Sequence, residues 1–156
     1  MHTTIATLGQ QHRTVLARLD EVEAAAPGHT ATRREFLAFL GGEVEEHFGL
    51  EEEALFPVLA RHPHLTTGPV AVMEAEHHEF RALIAELAAA LRAPGAGRPD
   101  PVVRAIITLL RAHIDKEDHV LFPLAEALLT AAELGEVEAR AAAREGAASR
   151  AAPGKR

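Results

Sequence analysis

The sequence contains no cysteine, no tyrosine and no tryptophan. Without cysteine the chain can form no disulfide, no thiolate metal site and no cysteine nucleophile. The three absences together leave no thiol, phenol or indole to serve as an acid or a radical. Ten histidines and 23 acidic residues, in contrast, supply many nitrogen and oxygen donors. Any metal site in this chain would therefore be built from imidazole and carboxylate groups.

Long hydrophobic runs are also missing. No apolar segment approaches the roughly 18 residues that a membrane-spanning helix needs, and the N-terminus lacks the basic stretch and apolar run of a secretory signal. We therefore expect a cytoplasmic protein with no membrane partner. The formal net charge of -7 argues against a nucleic-acid-binding surface.

One pattern, His-x3-Glu-x3-Leu-Phe-Pro, occurs twice, at residues 47–57 and again 66 residues later at 113–123. On an α-helix, residues four apart project from the same face with their Cβ atoms roughly 5–6 Å apart, which is close enough to share one ion. In a strand the same pair would lie about 13 Å apart. The spacing therefore predicts two helices that each carry a metal-binding pair.

Alanine and leucine are abundant whereas valine and isoleucine are sparse, which favours helix. Apolar residues at spacings of three and four predict four helices, over residues 3–26, from Thr30 or Thr32 onward, over 70–92, and from 102 onward. Turn-rich connections separate them at residues 27–29, 61–69 and 94–101. We predict an all-α, up-down-up-down four-helix bundle that occupies residues 1–130.

The remaining residues, 131–156, form a separate segment. Residues 131–145 suit a short fifth helix, although this Ala-rich stretch has few large apolar groups and would pack weakly. From about Gly146 onward the Gly/Ala/Ser-rich composition predicts a disordered tail.

The internal repeat extends beyond the two motifs. A shift of 65 residues aligns the first helix with the third and matches His12 with His77. Two similar halves predict one site with approximate two-fold symmetry. The six candidate metal ligands are His12, His47, Glu51, His77, His113 and Glu117. Paired carboxylates can bridge two cations while imidazoles fill outer positions, so we predict a dinuclear centre.

Other interpretations of these residues exist. A single His-x3-Glu pair in an Ala/Glu-rich protein more often belongs to a solvated helix face, but its repetition with the same Leu-Phe-Pro tail argues against coincidence. A buried salt-bridge network without metal is a second alternative. Within the third helix, His78 competes with His77, and Glu74 could add an oxygen ligand.

The chain resembles hemerythrin-like proteins, the group of the HHE cation-binding domain, over residues 3–130. The resemblance rests on His12, on both His-x3-Glu motifs, and on the stretch Glu76-His77-x2-Phe80-Arg81. It implies a non-haem di-iron centre that Glu51 and Glu117 bridge, with an oxo or hydroxo group, and that meets dioxygen.

The chain departs from the oxygen-carrying hemerythrins at one position. Those proteins have a His-x3-His pair in the third helix, whereas this chain has Met73-x3-His77. The equivalent residue of the first helix is Leu8, so both halves are apolar there. With two histidines per iron, more coordination positions stay open, which suits small-molecule chemistry or redox sensing better than oxygen carriage.

Three functions follow from the resemblance. The favoured one is a di-iron protein that binds or senses dioxygen, nitric oxide or peroxide. The second is an oxidoreductase on peroxide or nitric oxide, although the sequence identifies no dedicated proton donor. The third is iron storage or delivery. Manganese and zinc accept the same ligands as iron, and the sequence allows a monomer or a homodimer.

Overall fold

The computed structural model describes residues 3–93 and 99–152, which form five long helices. They are α1 (Thr3–Ala24), α2 (30–59), α3 (Pro69–Arg92), α4 (99–128) and α5 (Ala131–Ala151). A four-residue helix, Pro63–Thr66, lies in the connection between α2 and α3. No strand occurs in either described range, so the predicted all-α class is confirmed.

Helices α1 to α4 form a closed four-helix bundle. Each helix packs against its neighbours in the chain, and α4 returns to contact α1. The core has two apolar clusters. One contains residues such as Leu8, Leu55 and Met73, and the other contains Phe48, Phe80 and Ile114. None of the described helices is long and apolar enough to cross a membrane.

Both motif helices contain a wider, π-helical turn at the same place in the repeat. These turns are Glu51–Leu55 in α2 and Glu117–Leu121 in α4, and the backbone on both sides stays helical. Phe56 N–H donates to the Glu51 carbonyl, and Phe122 N–H donates to the Glu117 carbonyl, five residues back. A proline follows each phenylalanine; it has no N–H to donate, and its ring crowds the carbonyl four residues earlier. The wider turn accommodates that proline within a continuous helix.

Helix α2 begins one residue earlier than either predicted cap. The His29 side chain accepts a hydrogen bond from Thr32 N–H, so a histidine rather than a threonine caps this helix. Helix α4 begins at Pro99, inside the predicted connection at 94–101, and residues 94–98 of that connection lie outside the described residues. A second wide turn, Leu40–Val44 around Gly41 and Gly42, has no counterpart in α4.

The C-terminal helix α5 is longer and better packed than its composition predicts. Thr130 and Glu133 form a reciprocal capping box at its start. Leu134 and Val137 are buried in the bundle core, and the Glu138 carboxylate accepts hydrogen bonds from Thr4 N–H and Thr4 Oγ1. The helix continues to Ala151, so the disorder predicted from Gly146 is wrong up to that residue. Residues 153–156 lie outside the described part of the chain.

We expect Leu134→Ala to destabilise the protein by about 2–4 kcal/mol, because it leaves a cavity between α5 and the bundle. Leu128→Ala is the matched control, since Leu128 is 48% exposed, and its expected cost is about 0.5 kcal/mol or less. Urea unfolding followed by circular dichroism measures both. Equal stabilities for the two variants would show that α5 does not belong to the cooperative core.

Candidate metal centre

The six predicted ligand residues meet in the middle of the bundle. His12 comes from α1 and His77 from α3, whereas α2 and α4 each contribute a histidine and the glutamate one turn later. All six side chains are buried, with at most 2% of each residue exposed. They form two groups that share both glutamates. The first position consists of His12, His47, Glu51 and Glu117, and the second position consists of Glu51, His77, His113 and Glu117.

In the first position the candidate donor atoms lie within 4.8 Å of one another. His47 Nε2 lies 3.2 Å from Glu51 Oε1, and His12 Nε2 lies 3.1 Å from Glu117 Oε2. The two imidazole Nε2 atoms are 3.1 Å apart. Two nitrogens and two carboxylate oxygens therefore surround one point.

The second position repeats this geometry. His77 Nε2 lies 3.2 Å from Glu51 Oε2, His113 Nε2 lies 3.3 Å from Glu117 Oε2, and these two Nε2 atoms are 3.3 Å apart. The two oxygens of Glu51 thus face different positions. One oxygen of Glu117 lies between His12 and His113. Both carboxylates are placed to bridge two cations.

The outer nitrogen of every imidazole is also bonded. Each Nδ1 lies 2.6–2.8 Å from a side-chain oxygen, and the pairs are His12 with Asp118, His47 with Gln11, His77 with Glu52, and His113 with Glu76. A carboxylate or amide oxygen can only accept, so Nδ1 carries the proton and donates it. The lone pair of each Nε2 then points into the centre. This arrangement is typical of metal-bound histidines.

Two aromatic rings fix the imidazole planes. Phe122 stacks on His12 with 5.3 Å between ring centroids and 9° between planes. Phe48 stacks on His77 with 3.7 Å between centroids and 13° between planes. We predicted purely apolar packing for Phe122, and its contact with His12 adds a role in orienting a candidate ligand. Both rings also keep water away from the centre.

The charges inside the centre require a cation. All four oxygens of Glu51 and Glu117 are buried and have no partner in hydrogen-bonding geometry among the described residues, although Nε2 atoms lie close by. Ionised carboxylates are costly to bury without compensation. Burial lowers the pKa of His47, but the charges of Glu51 and Glu117 outweigh burial and raise it to about 10. The site thus attracts positive charge in the form of protons or metal ions.

A network of protonated histidines satisfies this centre less well than metal does. Within each position the two Nε2 atoms are only 3.1–3.3 Å apart, so two N–H groups cannot face each other there. At most one proton fits between each pair. One metal ion per position would instead accept both nitrogen lone pairs and an oxygen from each glutamate. The donor set and its geometry therefore suit two metal ions.

The structure also separates the competing residues of α3. His77 lies in the centre, whereas His78 and Glu74 are exposed. Met73, one turn before His77, is buried in the apolar cluster. Glu53 and His119 are exposed too, as expected for residues that point off the site face. Sequence analysis placed Glu52 and Asp118 near the site or on the surface, and they bond His77 and His12.

Sequence analysis missed two outer partners, Gln11 and Glu76. Both precede a central histidine directly, in the dipeptides Gln11-His12 and Glu76-His77, yet each bonds a histidine of a different helix. The two dipeptides are related by the same shift of 65 residues as the histidines. That repeat was the signal that could have identified them.

Comparison with known proteins agrees with this geometry. The family model of the hemerythrin HHE cation binding domain matches residues 3–125. An uncharacterized protein of Mycobacterium bovis is 31% identical over 140 residues, which cover 86% of this chain and 81% of that protein. Uncharacterized proteins of two strains of Mycobacterium tuberculosis match with the same identity and coverage. The chain therefore belongs to the hemerythrin HHE cation-binding domain family.

Proposed function

We propose that this protein is a cytoplasmic di-iron protein that binds or senses dioxygen, nitric oxide or peroxide. The observation that carries the proposal is the pair of buried four-residue groups that share Glu51 and Glu117. His12, His47, His77 and His113 would be terminal ligands, and the two glutamates would bridge the ions. Iron bound there would supply the redox chemistry, while the protein fixes the ligands and excludes bulk water.

The donor set favours a small added ligand. Each position offers four protein donors, two imidazole nitrogens and two carboxylate oxygens, which is fewer than octahedral coordination takes. Met73 occupies the place where oxygen-carrying hemerythrins have a further histidine. An apolar cavity of about 260 Å³ lies beside it, lined also by Val72, Val120 and Leu121. An uncharged diatomic molecule suits such surroundings.

The direct test is metal analysis of protein purified in air, with an ultraviolet-visible spectrum before and after reduction and re-exposure to oxygen, nitric oxide or peroxide. We expect about two irons per chain and charge-transfer bands that change on adding these ligands. A folded protein that takes up no iron under anaerobic conditions would contradict the proposal. Zinc or manganese in place of iron would keep the metal centre and exclude the redox function.

A second candidate is peroxide disproportionation, which the open coordination at both positions also favours. In this reaction two hydrogen peroxide molecules give two water molecules and one dioxygen, so no external reductant is needed. An oxygen electrode would detect turnover. Iron delivery is less well supported, because complete burial of the ligands slows exchange; we expect the bound iron to leave slowly when a chelator is added.

Metal binding should become more stabilising as the pH rises. In the metal-free protein the pKa of His47 is raised from 6.5 to about 10. The stabilisation from its protonated form is complete below pH 6.5 and is lost as the pH rises through about 10. Burial raises the pKa of Glu51, but the nearby histidines outweigh it and hold this pKa well below 4.5, so its stabilisation is lost in acid.

A metal ion replaces the protons on the imidazoles and so removes the alkaline loss. The difference in Tm between metal-loaded and metal-free protein is therefore expected to be larger at about pH 9 than at about pH 6. Differential scanning calorimetry of both forms measures it. An equal difference at the two pH values would mean that protons and metal do not compete for the same atoms.

A further inference from the structure

The two-fold symmetry of the centre is broken at one pair of outer groups. The repeat relates Glu52 to Asp118, and both are carboxylates that bond an imidazole Nδ1. It relates Gln11 to Glu76, which bond His47 and His113. Here one member is a neutral amide and the other is a carboxylate. The first position thus has one carboxylate-bonded imidazole, and the second position has two.

The partner of an imidazole N–H changes the strength of the other nitrogen as a ligand. A carboxylate pulls the Nδ1 proton and leaves more electron density on Nε2, whereas an amide oxygen does so less. Changing such an outer partner typically alters metal affinity by about 10–100-fold. His113, backed by Glu76, should therefore hold a cation more strongly than His47, backed by Gln11.

Basic residues reinforce the outer carboxylates in the second half only. The Arg81 guanidinium donates to both oxygens of Glu52, and the Lys116 ammonium donates to Glu76. At the positions related by the repeat, the first half has Leu16 and Leu50. Asp118 therefore lacks an equivalent of this support.

These basic side chains oppose metal binding less than the carboxylates favour it. Their charges lie one residue farther from the centre, and their side chains are 39% and 41% exposed, so water screens them. Glu76 is 15% exposed, whereas Asp118 is 36% exposed. The main effect of Arg81 and Lys116 is to hold Glu52 and Glu76 in place.

We propose that the two metal positions are inequivalent, and that Glu76 makes the position at His77 and His113 the one that fills first. This inference rests on the proposed function, because it assumes that the centre binds metal. It assigns Glu76 as a positioning residue that acts through His113, and Gln11 as its weaker counterpart that acts through His47.

The test is partial loading. Metal-free protein receives one equivalent of Co²⁺ and is crystallised, and anomalous scattering at the cobalt edge gives the occupancy of each position. Charge repulsion makes any second ion bind more weakly, so stepwise affinities alone do not test inequivalence, but repulsion cannot favour one position over the other. We expect an occupancy ratio of about ten to one or more in favour of the second position.

Exchanging the two outer groups supplies the matched variants. Glu76→Gln should bring the ratio near one by weakening the second position, and Gln11→Glu should bring it near one by strengthening the first. The double variant carrying both changes should reverse the preference. Glu74→Gln is the control, because Glu74 is an exposed glutamate of the same helix, and it should leave the ratio unchanged.

The outcomes separate this inference from the metal site itself. Equal occupancy in the wild-type protein, or a ratio that Glu76→Gln leaves unchanged, would overturn the inference while leaving the dinuclear centre intact. Absence of cobalt from both positions in folded wild-type protein would contradict the proposed function instead. Circular dichroism of each variant confirms that the helices are retained before its occupancy is compared.

Discussion

A Glu51→Gln variant is expected to hold one metal ion per chain or none, instead of two. The two oxygens of Glu51 lie 3.2 Å from His47 Nε2 and 3.2 Å from His77 Nε2, so each faces a different position. Glutamine keeps one oxygen, and its NH₂ group would face the other position as a donor that cannot bind a cation. The variant also removes one of the two buried negative charges. We expect the affinity of the weaker position to fall by more than about 100-fold, beyond the effect of an outer partner.

Metal analysis after dialysis against a weak chelator measures this loss. Glu43→Gln is the matched control, because Glu43 is an exposed glutamate of the same helix. The control should keep the full metal content. If Glu51→Gln also retained two ions per chain, the two groups could not share this carboxylate, and the bridged arrangement would be wrong.

The positions of the six central residues could be predicted because helical geometry ties spacing to direction. A histidine and a glutamate four residues apart must share a helix face, and the repeat supplied the second pair without further assumptions. His12 and His77 were harder to assign, since neither belongs to a His-x3-Glu pair. The apolar register around them singled out His77 over His78, and burial in the structure agrees with that choice.

Features that depend on contacts between distant helices could not be predicted in the same way. The bonds from His47 to Gln11 and from His113 to Glu76 cross between helices, and nothing within one helix specifies them. The packing of α5 has a similar origin. A Cβ at Gly49 would lie 2.3 Å from Arg144 Nη2, so the missing side chain makes room for an arginine that bonds Glu46. Local composition predicted disorder just beyond this contact.

The wide turns at Glu51 and Glu117 lie between these two cases. The prolines of the repeated motif were visible in the sequence, and they were read as points where the helix could bend or restart. The structure instead keeps each helix continuous, through hydrogen bonds that span five residues. Both turns begin at the residue that would bridge the metals, and such turns often occur at functional sites.

A Met73→His variant is expected to gain a metal ligand at the cost of metal-free stability. Met73 lies one turn before His77 on the same face of α3, and it is only 2% exposed. Without metal, the new imidazole would be buried among apolar side chains, at a cost of about 1–3 kcal/mol. Metal at the second position would accept its nitrogen and remove that penalty. Affinity there should therefore rise by about tenfold to a hundredfold.

Thermal unfolding of metal-free and metal-loaded protein distinguishes this result from simple damage to the core. The metal-free variant should have a lower Tm than the wild type, and the metal-loaded variant should recover most of the difference. Met73→Leu is the control, because it conserves volume and adds no ligand, so any loss should be equal in both forms. Equal losses for Met73→His as well would mean that residue 73 does not face the metal. Recovery, together with weaker azide binding to the di-iron form, would mean that the wild-type methionine keeps open a coordination position for the small ligand.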